Sequence, residues 1–160
     1  RDWSSDVCSS DLWRTFLRTN AMTDDLFEAY ARTNFWVELP SVCHALRVRK
    51  LHEAFDQFLG STEFAEWAYI TAYNPMSRRL SDEENQRRQR DLVATVKSLG
   101  LQTLTGLGVP DDPRWQPEPS ILILGISRDD AKSLGRDYEQ RAIVNGKLCF
   151  EAELVECANE

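Results

Sequence analysis

The chain has 160 residues, 42% of them hydrophobic and 28% charged, with a formal net charge of −7. These values fit one globular domain and disfavour a polyanion partner bound through general electrostatics. No apolar run is long enough to span a bilayer, and no basic-then-apolar leader stands out. Cys8, Cys43, Cys149 and Cys157 form no CxxC pair, so reduced thiols in a cytoplasmic protein are expected, with no metal site and no cofactor.

The head of the chain, RDWSSDVCSSDL, has neither a helix nor a strand period. It could serve as a phospho-acceptor tail or a Cys/Asp metal site. Against both, it resembles a translated sequencing adapter, matched at every position from Asp2 to Leu12. Residues 1–12 are therefore set aside from the domain. Residues 13–21 read as non-native upstream translation, with Met22 as the initiator. One α+β domain is expected over 22–160, with a helical N-terminal part at 23–60 and a core at 66–156.

Within that domain, Thr23 caps a short helix over 23–32, whose apolar face is Leu26, Phe27 and Tyr30. NFWVEL (34–39) reads as a strand or an extended arm. Val42, Leu46, Leu51, Phe55, Phe58 and Leu59 suggest a helix over 42–59 carrying both His44 and His52, with Gly60 as its C-cap. The aromatic and β-branched EWAYITAY (66–73) predicts a strand that Asn74-Pro75 terminates. SDEE (81–84) is a capping box opening a helix that runs to Leu99. LQTLTG (101–106) is a second strand, followed by a Gly- and Pro-dense loop. SILILG (120–125) is a buried strand, and Ser127 caps a helix to about Tyr138. RAIV and KLCFEAELVE read as a hairpin turning at Asn145-Gly146, with Leu148, Phe150, Ala152 and Leu154 on one face. The order β-α-β-β-α-β-β predicts a two-layer sandwich, with helices on one face of a mixed sheet. A ferredoxin-like, split βαβ variant is the expected topology.

The helix from 82 is apolar only in its second half, at Leu92, Val96 and Leu99. Extending that stripe backwards reaches Asn85 and Arg88, close to Tyr73 and Asn74 at the end of the preceding strand. Two readings follow. Amides and a guanidinium at a helix N-terminus suit a phosphate or carboxylate. Alternatively, Asn85 fastens the TAYNP turn while Arg88 pairs with Glu83, Glu84 or Glu118. Trp115 and Glu118 lie in the long loop before the buried strand, where Glu118 could act as a base, pair with Arg88 or tie the loop. Gln140 is a peripheral candidate that could cap the end of the second core helix. Gly106-Leu107-Gly108 is a weak phosphate-loop hint, since no helix begins there. Arg78, Arg79, Arg87, Arg88 and Arg90 are interleaved with acids and suit a solvated face better than a nucleic-acid stripe. His44 and His52 are too far apart on one helix to share a metal.

AYITAYNPMSRRLSDEENQRRQRDL and WQPEPSILILGISRDDAKSLGRDYEQRAIV together resemble a bacterial family known as domain of unknown function 3293, over about residues 66–145. The matching positions are Thr71, Asn74, Pro75, Ser81, Asn85, Leu92, Trp115, Glu118, Ser120, Gly125, Gln140 and Ala142, with an aromatic at Tyr138. The resemblance implies no activity, substrate or cofactor. The polar set suits a binding module for a small anionic or nucleotide-like ligand, or for a partner peptide, at Asn74, Asn85, Arg88, Trp115 and Glu118. A hydrolase of phosphorylated substrates, with Glu118 as base and Arg88 as anion clamp, is a different reading. A purely structural or regulatory interaction role is a third.

Overall fold

NFWVEL is a strand. Asn34–Glu38 (β1) buries Phe35 and Val37 and turns Trp36 and Glu38 outward. The computed structural model describes residues 22–158, so the expectations for residues 1–12 and 13–21 lie outside the described residues. The remaining elements are α1 (Asp24–Ala31), β2 (Cys43–Leu46), α2 (Glu53–Gly60), β3 (Glu66–Ile70), α3 (Asp82–Ser98), β4 (Gln102–Val109), β5 (Glu118–Leu124), α4 (Arg128–Asp137), β6 (Ala142–Lys147) and β7 (Glu153–Glu156).

The expected helix over 42–59 is two elements. Its first part folds back on β1, with Phe35 opposite Leu46 and Glu38 opposite Cys43, and the Leu39 amide donates to the Val42 carbonyl across the turn. Only Phe55 and Leu59 of the apolar stripe are buried in α2, while Val42 and Leu51 are each 59% exposed. The helical period of that stretch was coincidental: Leu46 points inward from a strand. His44 and His52 therefore meet after all, edge to face at 5.5 Å between ring centroids.

Seven strands form one sheet in the order β2-β1-β4-β5-β3-β6-β7, and every pairing is antiparallel, not mixed. The crossings explain this. The connection through α3 takes the chain from β3 past β5 to β4, and the connection through α4 takes it from β5 past β3 to β6. Each helix thus links two parallel strands separated by an antiparallel one.

Helices cover both faces, so the expected two-layer sandwich is incomplete. On one face Leu92 and Val96 of α3 and Ala131 and Leu134 of α4 pack on Ala68, Ile70, Ile121, Ile123 and Ile143. On the other face Phe55 and Leu59 of α2 join Phe35, Val37, Trp67, Tyr69, Leu122 and Val144, with Tyr30 of α1 at the edge. Alternate residues of β3 and β5 feed the two cores, so these central strands are apolar throughout.

Asn145-Gly146 is not a turn. Both residues lie inside β6, paired with Ala68 and Trp67. Asn145 donates its side-chain amide to the Trp67 carbonyl at 2.9 Å, and the Trp67 indole covers Gly146 where a side chain would stand. The chain reverses two residues later, and Phe150 is 64% exposed instead of sharing an inward face with Leu148 and Ala152. Gly106 follows the same logic. It lies in β4 beneath the Tyr69 ring, whose hydroxyl donates to the Trp36 carbonyl at 2.7 Å. The Gly106-Leu107-Gly108 run is a strand making room for an aromatic ring, not a phosphate loop.

Candidate functional site

The site begins where β3 ends. Thr71 donates its hydroxyl to the Pro119 carbonyl at 2.8 Å, and the Ala72 amide donates to the Gln89 side chain at 2.8 Å. The chain then enters a left-handed conformation at Asn74 (φ 46°), one that asparagine tolerates better than most residues. Further on, Ser81 caps α3 and exchanges bonds with Glu84 in the expected capping box.

Asn85, on the first turns of α3, is 3% exposed and holds this turn. Its oxygen accepts from the Asn74 amide, and its nitrogen donates to the Asn74 side-chain oxygen, both at 2.9 Å. That oxygen also accepts from the Leu80 amide at 3.1 Å. Asn74 passes its remaining amide group to Glu118 Oε1 at 2.6 Å. Asn85, Asn74 and Glu118 thus form one chain of hydrogen bonds running from the buried helix face outward.

Arg88 stands apart from it. Nε donates to the Ala72 carbonyl at 3.0 Å, Nη2 to the Tyr138 carbonyl at 2.7 Å, and Nη1 meets Glu139 at 3.4 Å. Its guanidinium joins the end of β3 to the end of α4, with its partner being Glu139 instead of Glu83, Glu84 or Glu118. The geometry speaks against Arg88 and Asn85 as an anion clamp, because their polar groups are committed to protein atoms. Arg88→Ala would take the side-chain donor from the Ala72 carbonyl and leave the Tyr138 carbonyl with Gln140 alone. A loss of about 2 kcal/mol is expected in a denaturant melt, and an unchanged midpoint would contradict this tie.

The concavity lies on the other side of Asn74. A cleft of about 250 Å³ opens between α1, the 73–77 turn and the 110–118 segment. Leu26, Ala29, Tyr30, Arg32 and Thr33 form one wall. Tyr73, Asn74, Ser77, Pro110, Asp111, Asp112, Trp115, Glu118 and Gln140 form the rest. An inner recess of about 80 Å³, shared by Tyr30, Thr33, Pro110, Glu118 and Gln140, continues it towards Phe35, Tyr69 and Ser120. Asn74, Trp115 and Glu118 are therefore brought together here, whereas Asn85 and Arg88 stand behind the cleft.

Glu118 is the first residue of β5 and sits where cleft and recess meet. Burial raises its carboxyl above the usual carboxylate range, and the Asn74 hydrogen bond only partly offsets this. Tyr30 faces it across the cleft, and burial pushes the Tyr30 hydroxyl up to about 12, helped by the Glu118 charge. Trp115 is braced from outside by the Arg79 guanidinium, 4.7 Å from its ring, and Arg79 also donates to the Arg114 carbonyl. Gln140 closes the far end. Its amide nitrogen reaches the Tyr73 and Tyr138 carbonyls, both at 3.2 Å, and its backbone amide caps α4 through the Gly135 carbonyl at 2.8 Å, as its position suggested.

Tyr30 and Thr33 were not singled out as site residues by the sequence, and Tyr73 was placed only beside Asn85 and Arg88. Tyr30 belongs to an amphipathic helix far away in the chain, so its apolar spacing carried no sign of a role beside Glu118. Among the described residues no group of three or more His, Cys, Asp and Glu side chains could hold a metal ion, and no helix is long and apolar enough to cross a membrane.

The family model described as "Protein of unknown function (DUF3293)" matches residues 70–143. No curated protein and no solved structure matches the chain. The matched segment runs from the last residue of β3 into β6 and includes every cleft residue from Tyr73 to Gln140, while the α1 wall lies outside it. Over residues 70–143 the chain is similar to the DUF3293 family.

Proposed function

We propose that the protein is a binding module, and that the cleft between α1 and the family segment is its ligand site. The observation that carries this reading is the placement of Glu118. A half-buried carboxylate faces a concave, partly aromatic cleft and has a single hydrogen-bond donor among the described residues, Asn74. Asn85 and Arg88 act as positioning residues behind it, and Asn74, Trp115 and Glu118 face the ligand. The hydrolase reading has less support, since the anion clamp it needs is committed to the Ala72 and Tyr138 carbonyls. The order β4-β5-β3-β6, with α3 and α4 as the crossings, supports a ferredoxin-like, split βαβ kinship for the family segment, with β1, β2 and β7 added at its edges.

A thermal-shift screen of small metabolites tests the reading. The screen is run on the protein and on Ala29→Trp, which fills the cleft from the exposed side of α1. Hits that stabilise the protein and not the variant are expected. Hits shared equally by both would place binding elsewhere.

Glu118 also predicts a pH signature. Its carboxyl holds a proton to higher pH in the folded state than in the unfolded chain. Its contribution is therefore whole below the ordinary carboxyl range and is lost as pH rises through the elevated value. Glu118→Gln keeps an oxygen for Asn74 and removes the charge. Without ligand, the variant should gain stability relative to the parent between pH 4 and pH 7.5. Parallel pH profiles would contradict the desolvation of Glu118.

A further inference from the structure

The charges around the cleft are not equally satisfied. Asp112 is held by Arg114 at 2.6 Å, and Asp111 faces Arg32 at 4.0 Å. Arg88 is occupied by two carbonyls and Glu139, and Arg141 donates its Nε to the Met76 carbonyl at 3.2 Å. Glu118 alone has no basic group within 4.0 Å among the described residues, although it is the most enclosed carboxylate of the cleft. Its Oε1 accepts from Asn74, and its Oε2 has no hydrogen-bond donor among the described residues. Around it stand the aromatic rings of Tyr30, Tyr73 and Trp115, whose faces attract cations.

We propose that the cleft takes a small organic cation, with an ammonium or guanidinium group on the Glu118 carboxylate and an apolar body along Tyr30 and Trp115. This rests on the cleft being a ligand site, and it names the chemical class of the ligand. A cation supplies the counter-charge and the donor hydrogens that the protein withholds from Glu118. Arg32 and Arg114 offset Asp111 and Asp112, but an anion would still meet the Glu118 charge without a basic group beside it among the described residues, and that carboxylate selects against it. A neutral ligand could fill the same volume and would leave the carboxylate without a counter-charge.

Three probes sharing one phenethyl body separate these cases by calorimetric titration at pH 7.5: phenethylammonium, 2-phenylethanol and 3-phenylpropionate. Phenethylammonium should bind at least about tenfold more tightly than the alcohol, in line with a charge-assisted hydrogen bond in a desolvated site, and the carboxylate should bind least. In Glu118→Gln the ammonium should fall to the level of the alcohol while the variant melts cooperatively. The ranking of the three probes on the unmodified protein is decisive even where the variant folds poorly. The proposal is overturned if the alcohol or the carboxylate binds as well as the ammonium, if the ammonium preference survives in Glu118→Gln, or if the ammonium does not bind. Any of these would leave the ligand site itself intact wherever screened compounds are lost in Ala29→Trp. Failure of that site would appear separately, as hits indifferent to Ala29→Trp.

Discussion

Gly146→Ala is expected to destabilise the protein by about 3 kcal/mol, at the upper end of the usual cost of overpacking a core. A methyl group at this position would stand 2.2 Å from Trp67 Cζ2 and 2.3 Å from Cε2. These are ring atoms that cannot move independently. Trp67 is 2% exposed and wedged edge to face against Phe55 at 5.3 Å, so the ring has no free volume into which to retreat. The paired strands β3 and β6 would have to separate, or the indole would have to push α2 outward. A drop in melting temperature of roughly 10 °C is anticipated for a domain of this size. A neutral substitution would mean that Trp67 does not lie over Gly146.

Asn85→Ala should cost roughly 2–3 kcal/mol by a different route. The side chain is buried and makes two hydrogen bonds, both to Asn74. Removing it strands the Asn74 amide and frees the Asn74 side chain, whose other end holds Glu118. Stability should therefore fall, and ligand binding in the cleft should weaken, although Asn85 does not line it. Asn85→Asp separates the effects, because it retains the acceptor for the Asn74 amide while replacing the donor with a second acceptor. It should keep more stability than the alanine variant and still disturb the cleft. Loss of stability without any effect on the cleft would break the proposed link through Asn74.

Glycine and asparagine carry opposite lessons about what the sequence revealed. Asn145-Gly146 has the strongest short-range turn chemistry in the chain, yet it lies inside a strand paired on both sides. The reason is tertiary: Trp67, nearly eighty residues upstream, needs a partner without a side chain, and no local pattern records that requirement. The false helix over 42–59 arose because Val42 and Leu46, and Leu51 and Phe55, each fall four residues apart, while Leu46 and Phe55 serve different elements. Capping chemistry was more reliable. Thr23, Ser81 and Ser127 all cap helices, because a cap is satisfied within a few residues of itself.

The site was legible in the same partial way. The proximity of Asn74 and Asn85 followed from a strand end meeting a helix start, a local rule, whereas Glu118 reaches Asn74 from another strand 44 residues on. The direction in which each side chain points did not. Arg88 and Asn85 share a helix face that looked open from spacing alone, and the carbonyls of Ala72 and Tyr138 and the polar groups of Asn74 close it. The cleft on the far side of Asn74 depends on α1, which reaches it only through the folded chain.

Amide chemical shifts recorded by NMR during titration with the strongest hit of the metabolite screen test the ligand site most directly. Perturbations should cluster at residues 29–33, 73–77 and 110–118, joining the α1 wall to the family segment across Glu118. Perturbations centred on any other surface, with these three segments unmoved, would contradict it.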